Sequence, residues 1–163
     1  MPNTALITGA SAGIGAEFAR YHAAQKGDLI LVARREDVLN DLRRELQNAH
    51  GVKVHVIAQD LGVDGGADAL VEAVDALGVN VDILINNAGF GGHGIHTDRD
   101  LADEQAMIDL NVKALVTLTH AFGGKMAQRG KGRILQVGST AGMMSGPLQA
   151  IYFATKAFVV PQR

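Results

Sequence analysis

A tyrosine and a lysine stand four residues apart, at Tyr152 and Lys156, and Ser139 lies thirteen residues before the tyrosine. In a helix, residues four apart share a face, so the lysine ammonium would lie near the phenol. A cation within about 4–6 Å lowers the pKa of a phenol, which is about 10 in isolation, by one to three units. Such a tyrosine suits general acid–base catalysis near neutral pH. The pattern is informative only because it follows Ser139 in a chain that also carries a cofactor-type turn.

That turn is the run TGASAGIG at residues 8–15. It follows a short apolar run at residues 5–7 and precedes a segment in which Ile14, Phe18 and Tyr21 recur at helical spacing. A pyrophosphate needs close backbone approach, free N–H groups and the positive end of a helix dipole, and a glycine turn before a helix supplies them. The spacing Gly-x-x-x-Gly-x-Gly differs from the commoner Gly-x-Gly-x-x-Gly. A purely structural turn therefore remains the alternative interpretation.

Strand-like and helix-like segments alternate along the chain, and their order predicts how these residues are positioned. Strand-like segments rich in apolar and β-branched residues occur at residues 5–7, 29–33, 52–57 and 81–85, and within 132–137, and the first is a continuous apolar run typical of a buried parallel strand. An apolar stripe from Met107 to Met126 predicts one long helix or two abutting ones, with Gly123 and Gly124 as a candidate break. The alternation predicts an α/β fold, a doubly wound Rossmann-type parallel sheet with helices on both faces. Ligands of such sheets bind beyond the carboxyl ends of the strands.

Charged and amide side chains follow three of the predicted strands. Arg34 and Arg35 end the second strand about 20 residues after the glycine turn, where the ribose of a dinucleotide is usually recognised. Guanidinium groups suit a 2′-phosphate, so NADP is favoured over NAD, against the alternative of a solvated arginine pair. Asp60 either accepts a hydrogen bond from an adenine amino group or caps the next helix, and capping is favoured for this residue alone. The run Asn-Asn-Ala-Gly at 86–89 is either a turn or a surface against which a cofactor lies.

Composition and charge exclude several classes of function. The chain has 163 residues, 47% of them hydrophobic, which suits one globular domain with a core. A net charge of −2 gives no electrostatic case for nucleic acid or an anionic membrane, and no apolar run approaches the roughly 20 residues of a bilayer span. The lack of cysteine and of a signal-peptide start favours the cytoplasm. No metal site is expected, because His93 and His96, with Asp98 nearby, are interpreted as solvated loop residues.

Taken together, the motifs resemble the short-chain dehydrogenase/reductase family over nearly the whole chain. The matching pieces, in the family's order and spacing, are TGxxxGIG at 8–15, Asp60-Leu61, the Asn-Asn-Ala-Gly run at 86–89, Asn111, Ser139 and Tyr152-x-x-x-Lys156. The resemblance implies an oxidoreductase that transfers a hydride between NADP(H) and a small carbonyl or alcohol substrate. It also allows a homo-oligomer, since family members commonly pair through their long helices.

The resemblance implies a role for each matching residue. Tyr152 would exchange a proton with the substrate oxygen, and Lys156 would hold the nicotinamide ribose and lower the tyrosine pKa. Ser139 would hydrogen-bond the substrate carbonyl, and Asn111 would anchor a water that links Lys156 to solvent. The implied cofactor contacts are Gly9, Ser11, Gly13, Ile14 and Gly15 at the pyrophosphate, Arg34 and Arg35 at the 2′-phosphate, Asp60 at the adenine, and Asn87, Ala88, Gly89, Tyr152 and Lys156 further along the molecule.

The chain departs from the family's pattern at its end, since Arg163 is only seven residues after Lys156. We therefore expect a single dinucleotide-binding domain over residues 1–163, truncated at the C-terminus and lacking the family's last strands. The run 134–137 would then form an apolar unpaired edge, and Pro161 would end the helix of Tyr152. The segment 141–148 would line one wall of the substrate pocket and suggests a moderately apolar molecule. The alternative to an active enzyme is an NADP-binding chain without turnover, or the inactive product of a truncated gene.

Overall fold

The computed structural model describes residues 3–160, and its centre is a parallel sheet. Five strands form this sheet: β1 (Thr4–Thr8), β2 (Asp28–Ala33), β3 (Val54–Ala58), β4 (Ile83–Asn86) and β5 (Arg133–Gln136). They lie in the order β3-β2-β1-β4-β5, and every neighbouring pair is parallel. The order reverses between β1 and β4, which is where ligands bind in doubly wound folds.

Helices cover both faces of the sheet. They are α1 (Gly13–Ala24), α2 (Glu36–His50), α3 (Gly66–Ala76), α4 (Leu101–Ile108), α5 (Leu115–Arg129) and α6 (Ala150–Val159). Side chains alternate between the faces along each strand: Ala5 and Ile7 pack with α1 and α2, whereas Leu6 packs with α3 and α5. The Rossmann-type fold is thus confirmed. Within residues 3–160, no helix has the length and apolarity needed to cross a bilayer.

The helix predicted after the glycine turn is present, but the face that it buries is not the stripe of large apolar residues seen in the sequence. Ile14 and Tyr21 are 60% and 71% exposed. The residues that face the sheet are small: Gly15, Ala16, Ala19 and Ala23. Because α1 starts directly at a tight turn from β1, it lies close to the sheet, and small side chains fill most of the space between them. Of the three large residues, only Phe18 packs against this core, and it is half-buried.

The helical stripe between β4 and β5 is continuous, and the expected break at Gly123 and Gly124 is wrong. Both glycines lie inside α5, which ends at Arg129 with Gly130 in the left-handed conformation (φ 67°). The irregularity lies earlier, where a π-helical segment, Asp109–Ala114, joins α4 to α5. Such π-helical turns occur frequently at functional sites, and this one contains Asn111.

Within residues 3–160, strand β5 is an edge of the sheet, as expected. Among the residues described, it pairs only with β4, and Ile134 and Leu135 are exposed. The last described helix, α6, runs to Val159, and the Val160 N–H donates to the Lys156 carbonyl. The helix stop expected at Pro161 lies outside the described residues.

Candidate active site

A cleft of about 680 Å³ opens at the carboxyl ends of β1, β2, β3 and β4. It brings together seven of the residues predicted from the sequence to contact a cofactor: Gly9, Ser11, Arg34, Arg35, Asp60, Ala88 and Gly89. Six predicted cofactor contacts do not line it: Gly13, Ile14 and Gly15 lie at the start of α1, Asn87 directly follows β4, and Tyr152 and Lys156 lie on α6.

The glycine turn is bonded to the end of β4. Thr8 Oγ1 accepts hydrogen bonds from the backbone N–H groups of Asn87 and Ala88, each at 3.0 Å. In return, Asn87 Nδ2 donates to the carbonyl oxygens of Thr8, at 2.9 Å, and Gly9, at 3.3 Å. The Asn87 amide therefore holds the turn in shape. Thr8 was part of the predicted turn motif, but sequence reasoning gave its side chain no role.

Three positions of the turn require glycine: two because of their backbone conformation, and a third because a side chain there would collide with neighbouring atoms. Gly9 and Gly13 have φ of 67° and 54°, in the left-handed region that favours glycine. At Gly15, whose φ is ordinary, a Cβ would collide with the Gly9 carbonyl oxygen and come 2.5 Å from Asn87 Nδ2. The backbone of the turn thus passes directly over the first residues of α1.

We expect Gly15→Ala to lower the free energy of unfolding by about 1–3 kcal/mol, because the added methyl overpacks against backbone that cannot move aside. Chemical denaturation monitored by circular dichroism measures this loss. The matched control is Gly124→Ala in the interior of α5, where a Cβ meets no atom within 4 Å. That variant should gain about 0.5–1 kcal/mol. Equal behaviour of the two variants would contradict the close approach at Gly15.

Two arginines lie at the mouth of the cleft beside the turn. Arg35 Nη2 donates to both the carbonyl and the hydroxyl oxygen of Ser11, each at 3.2 Å. Arg34 is exposed, with Nη1 3.9 Å from Asp60 Oδ2. Two guanidinium groups next to the start of α1 make this end of the cleft attractive to an anion.

Asp60 does not cap a helix, so the interpretation favoured for this residue alone is wrong. Its Oδ1 accepts from the Gly62 N–H at 2.9 Å, in a local turn that continues the chain away from β3. Helix α3 starts only at Gly66, with Gly65 at its N-cap. The carboxylate instead lines the cleft and faces Arg34.

Tyr152 and Lys156 share one face of α6, as predicted. Lys156 Nζ lies 6.0 Å from the centre of the Tyr152 ring and donates to the Val137 carbonyl at 3.1 Å. Lys156 is 8% exposed, and burial lowers the pKa of its ammonium. A Cβ at Gly89, which lines the cleft, would lie 3.6 Å from Lys156 Nζ. The ammonium therefore lies directly behind the cleft wall.

Ser139 follows β5 and begins the short 3-10 turn Thr140–Gly142. Its Oγ accepts a hydrogen bond from the Ala141 N–H at 3.1 Å. This bond occupies a lone pair of the hydroxyl and not its hydrogen. A Cβ at Gly142 would collide with the Lys156 carbonyl, so this turn packs directly against α6.

Asn111 is buried in the π-helical segment and ties two parts of the site together. Its Oδ1 accepts from the Phe90 N–H at 3.1 Å, and its Nδ2 donates to the Phe90 carbonyl at 2.9 Å and to Thr155 Oγ1 at 3.1 Å. Thr155 Oγ1 in turn donates to the Tyr152 carbonyl at 2.9 Å. Thr155 was missed by sequence reasoning, since a threonine inside a helix carries no distinctive signal. The water-anchoring role of Asn111 stays a prediction.

Comparison with known proteins gives consistent matches. A family model described as short chain dehydrogenase matches residues 3–161. Sulfoacetaldehyde reductase from Chromohalobacter salexigens is 40% identical over 98% of this chain and 63% of its own length. The NADP-dependent 3-hydroxy acid dehydrogenase YdfG of Escherichia coli K12 is 35% identical, with 94% and 61% covered. The chain thus spans less than two thirds of the length of these relatives.

Solved structures agree with these matches. A short-chain dehydrogenase from Sphingobium yanoikuyae in complex with NADPH superposes with a TM-score of 0.90 at 38% identity, over 98% of this chain and 62% of that one. L-sorbose reductase from Gluconobacter frateurii, complexed with NADPH and L-sorbose, gives a TM-score of 0.90 at 34% identity, over 97% and 60%.

Proposed function

Because the chain belongs to the short-chain dehydrogenase/reductase family, we propose that it is an oxidoreductase that binds NADP(H) and acts on a carbonyl or alcohol substrate. One observation carries the proposal: the cleft that holds the glycine turn and the two arginines is backed at its other end by Lys156, beside Tyr152. Relatives whose names or structures include NADP or NADPH support the choice of cofactor. We assign residues 1–163 to one dinucleotide-binding domain.

The residues present fit NADP(H). The cleft volume of about 680 Å³ lies in the range of ligand pockets, roughly 300–1,000 Å³. The turn before α1 offers backbone N–H groups and a helix N-terminus to a pyrophosphate, through Gly9, Ser11, Gly13, Ile14 and Gly15. Arg34 and Arg35 suit a 2′-phosphate, Asp60 the adenine end, and Asn87, Ala88 and Gly89 the middle of the cofactor.

The bound cofactor supplies or accepts the hydride, and the protein supplies orientation and proton transfer. Tyr152 exchanges a proton with the substrate oxygen as general acid or base. Lys156 places a positive charge beside the phenol and holds the ribose of the cofactor. Ser139 donates its hydroxyl hydrogen to the substrate oxygen. This hydrogen is available because Ser139 Oγ only accepts in its bond with the Ala141 N–H.

The proposed reaction is tested by following the absorbance of NADPH in the presence of the chain and a series of aldehydes and ketones, with NADH in parallel. Consumption of NADPH that depends on both the chain and the carbonyl compound supports the proposal. Saturable binding of NADPH without consumption by any of them would instead favour the alternative, a nucleotide-binding chain without turnover.

Cofactor choice provides a separate prediction. We expect Arg34→Ala to weaken NADPH binding about tenfold, because a charge-assisted hydrogen bond to a phosphate contributes about 1.5–3 kcal/mol and this arginine is exposed. NADH binding should change little, since NADH lacks the 2′-phosphate. Arg34→Ala is the sharper variant, because Arg35 also bonds Ser11 and its loss would disturb the turn.

Fluorescence titration with each nucleotide measures both dissociation constants. The matched control is Arg44→Ala, which removes an exposed arginine of α2 that pairs with Asp41. It should leave both constants unchanged. If Arg34→Ala weakened NADPH and NADH equally, the arginine would have no contact with a 2′-phosphate.

A further inference from the structure

The loop between β4 and α4 is attached to a buried ion pair that the proposed reaction does not use. Arg99 Nε donates to Glu104 Oε1, and the two side chains are only 20% and 6% exposed. Arg99 Nη1 donates to the His93 carbonyl at 3.1 Å, and His96 Nδ1 lies 3.6 Å from Glu104 Oε2. A carboxylate this buried is tolerated only when it is paired and hydrogen-bonded, so the loop is bound firmly to the start of α4.

The loop backbone rests on the Arg99 side chain. A Cβ at Gly92 would collide with Arg99 Nη2 and lie 3.0 Å from Met107 Cε. A Cβ at Gly94 would lie 3.3 Å from Arg99 Cγ. The backbone at Gly92 and Gly94 thus packs directly on the Arg99 side chain, and this packing is possible because neither residue has a Cβ.

The other side of the same loop contacts Tyr152 and Leu148. A Cβ at Gly91 would lie 3.1 Å from Tyr152 Cδ2, so the backbone there lies against the tyrosine ring. The Gly94 N–H donates to the Leu148 carbonyl at 2.8 Å. Leu148 has φ 64°, a conformation that costs a leucine energy and persists only where its surroundings hold it. The loop is therefore held between Arg99 on one side and Tyr152 and Leu148 on the other.

We propose that the Arg99–Glu104 pair anchors the β4–α4 loop against Tyr152 and Leu148, and that Arg99 is a positioning residue for the reaction. The kinetic part of this inference rests on the proposed function. Neither Arg99 nor Glu104 lines the cleft, although Gly89 and Phe90 of the same loop do. The segment that the anchor contacts, residues 92–94, lies beyond those two residues, so we expect the anchor to act mainly on the Tyr152 end of the site. Small displacements of a reacting group are costly: about 1 Å can lower the rate 100-fold.

Two variants separate positioning from folding. Arg99→Ala removes the anchor but leaves Glu104 buried without its partner, which destabilises the chain. The double variant Arg99→Met with Glu104→Gln removes both charges while keeping the side-chain volumes close to the original. The matched control is Arg20→Ala, which breaks another arginine–glutamate pair, with Glu45, on the outside of α1 and α2.

The first readout needs no turnover. The chain has two tyrosines, so NMR of ring-¹³C-labelled tyrosine gives one signal from Tyr152 and one from Tyr21, which is exposed on α1 and serves as an internal reference. We expect the double variant to move the Tyr152 signal and to speed hydrogen exchange of the Gly94 amide, while Tyr21 stays unchanged. Arg20→Ala should alter neither. Unchanged Tyr152 and Gly94 signals in the double variant, or equal changes in Arg20→Ala, would overturn the anchor.

The second readout is kinetic. In the double variant, kcat/KM for the carbonyl substrate should fall about 10- to 100-fold, whereas the Kd for NADPH should change much less. An unchanged kcat/KM, or an equal loss of NADPH binding, would overturn the positioning role. If the unmodified chain consumed no NADPH with any carbonyl compound, the proposed function would fail, and the NMR result would still decide the anchor.

Discussion

Replacing Tyr152 with phenylalanine is expected to lower kcat by about 10²–10⁴-fold, the usual contribution of a positioned general acid or base. The substitution removes one oxygen and keeps the ring, so the contact with Gly91 and the packing of α6 are retained. The binding of NADPH should remain nearly unchanged, because the cleft beside the glycine turn is untouched. Steady-state kinetics and a nucleotide titration of the same preparation measure the two effects.

Tyr21→Phe is the matched control for this variant. It removes the same atom from the other tyrosine of the chain, which is exposed on α1 and outside the cleft. Both kcat and NADPH binding should equal those of the unmodified chain. Full turnover in Tyr152→Phe would mean that the proton comes from another group, and the assigned mechanism would be wrong.

Lys156→Met is expected to separate stability from activity. The ammonium is buried, and burial lowers its pKa, which means that the fold disfavours the charge it carries. Methionine has a similar length and no charge to desolvate, but it cannot donate to the Val137 carbonyl, so we expect little net change in the free energy of unfolding at neutral pH. Turnover should fall about 100-fold or more, because Tyr152 loses the neighbouring cation when it gives up its proton.

The sign of the pH dependence follows from the same burial. Because the folded-state pKa of Lys156 lies below its unfolded value, the unfolded chain binds more protons between the two values. The contribution of this lysine to stability therefore rises as pH increases through the folded pKa toward the unfolded value of about 10.4. The stability of Lys156→Met relative to the unmodified chain should therefore be highest near neutral pH and fall in alkaline solution.

Lys113→Met is the control for this comparison. Lys113 is exposed, and its hydrogen bond to Asp109 raises its pKa, the opposite direction. The contribution of Lys113 to the free energy of unfolding therefore falls as pH rises. This contribution is small, because the Lys113–Asp109 pair is exposed to solvent. Denaturation curves at several pH values measure the difference. If the stability difference between Lys156→Met and the unmodified chain were the same at neutral and alkaline pH, an unfavourable buried charge would be contradicted.

Sequence periodicity was sufficient to predict the sheet and the ends of its strands. Arg34 and Arg35 could be placed at the cleft because a strand of known length ends there, and Tyr152 and Lys156 share a face because helical spacing is regular. The buried face of α1 could not be predicted in the same way. The large residues Ile14, Phe18 and Tyr21 suggested an apolar face, but only Phe18 packs against the core, and the close approach of helix and sheet selects glycine and alanine at the fully buried positions.

Contacts between distant parts of the chain account for the remaining differences. Thr8 bonds to Asn87 and Ala88, nearly 80 positions away. Both ends of this contact lie in motifs visible in the sequence, but the sequence does not show that the two motifs bond to each other. Arg99 and Glu104 are five apart in a polar stretch and look like an ordinary solvated pair; their burial comes from the loop that folds over them. Asp60 has the residue type of a helix cap, but the chain turns at Gly62 before α3 begins.

The most direct test of the central claim is a fluorescence titration of the chain with NADPH, with NADH alongside. If the glycine turn, Arg34 and Arg35 form a working site on a folded sheet, NADPH binds saturably and more tightly than NADH. If neither nucleotide binds, the cleft is not a dinucleotide site in this chain, and the hydride-transfer function assigned to it is wrong.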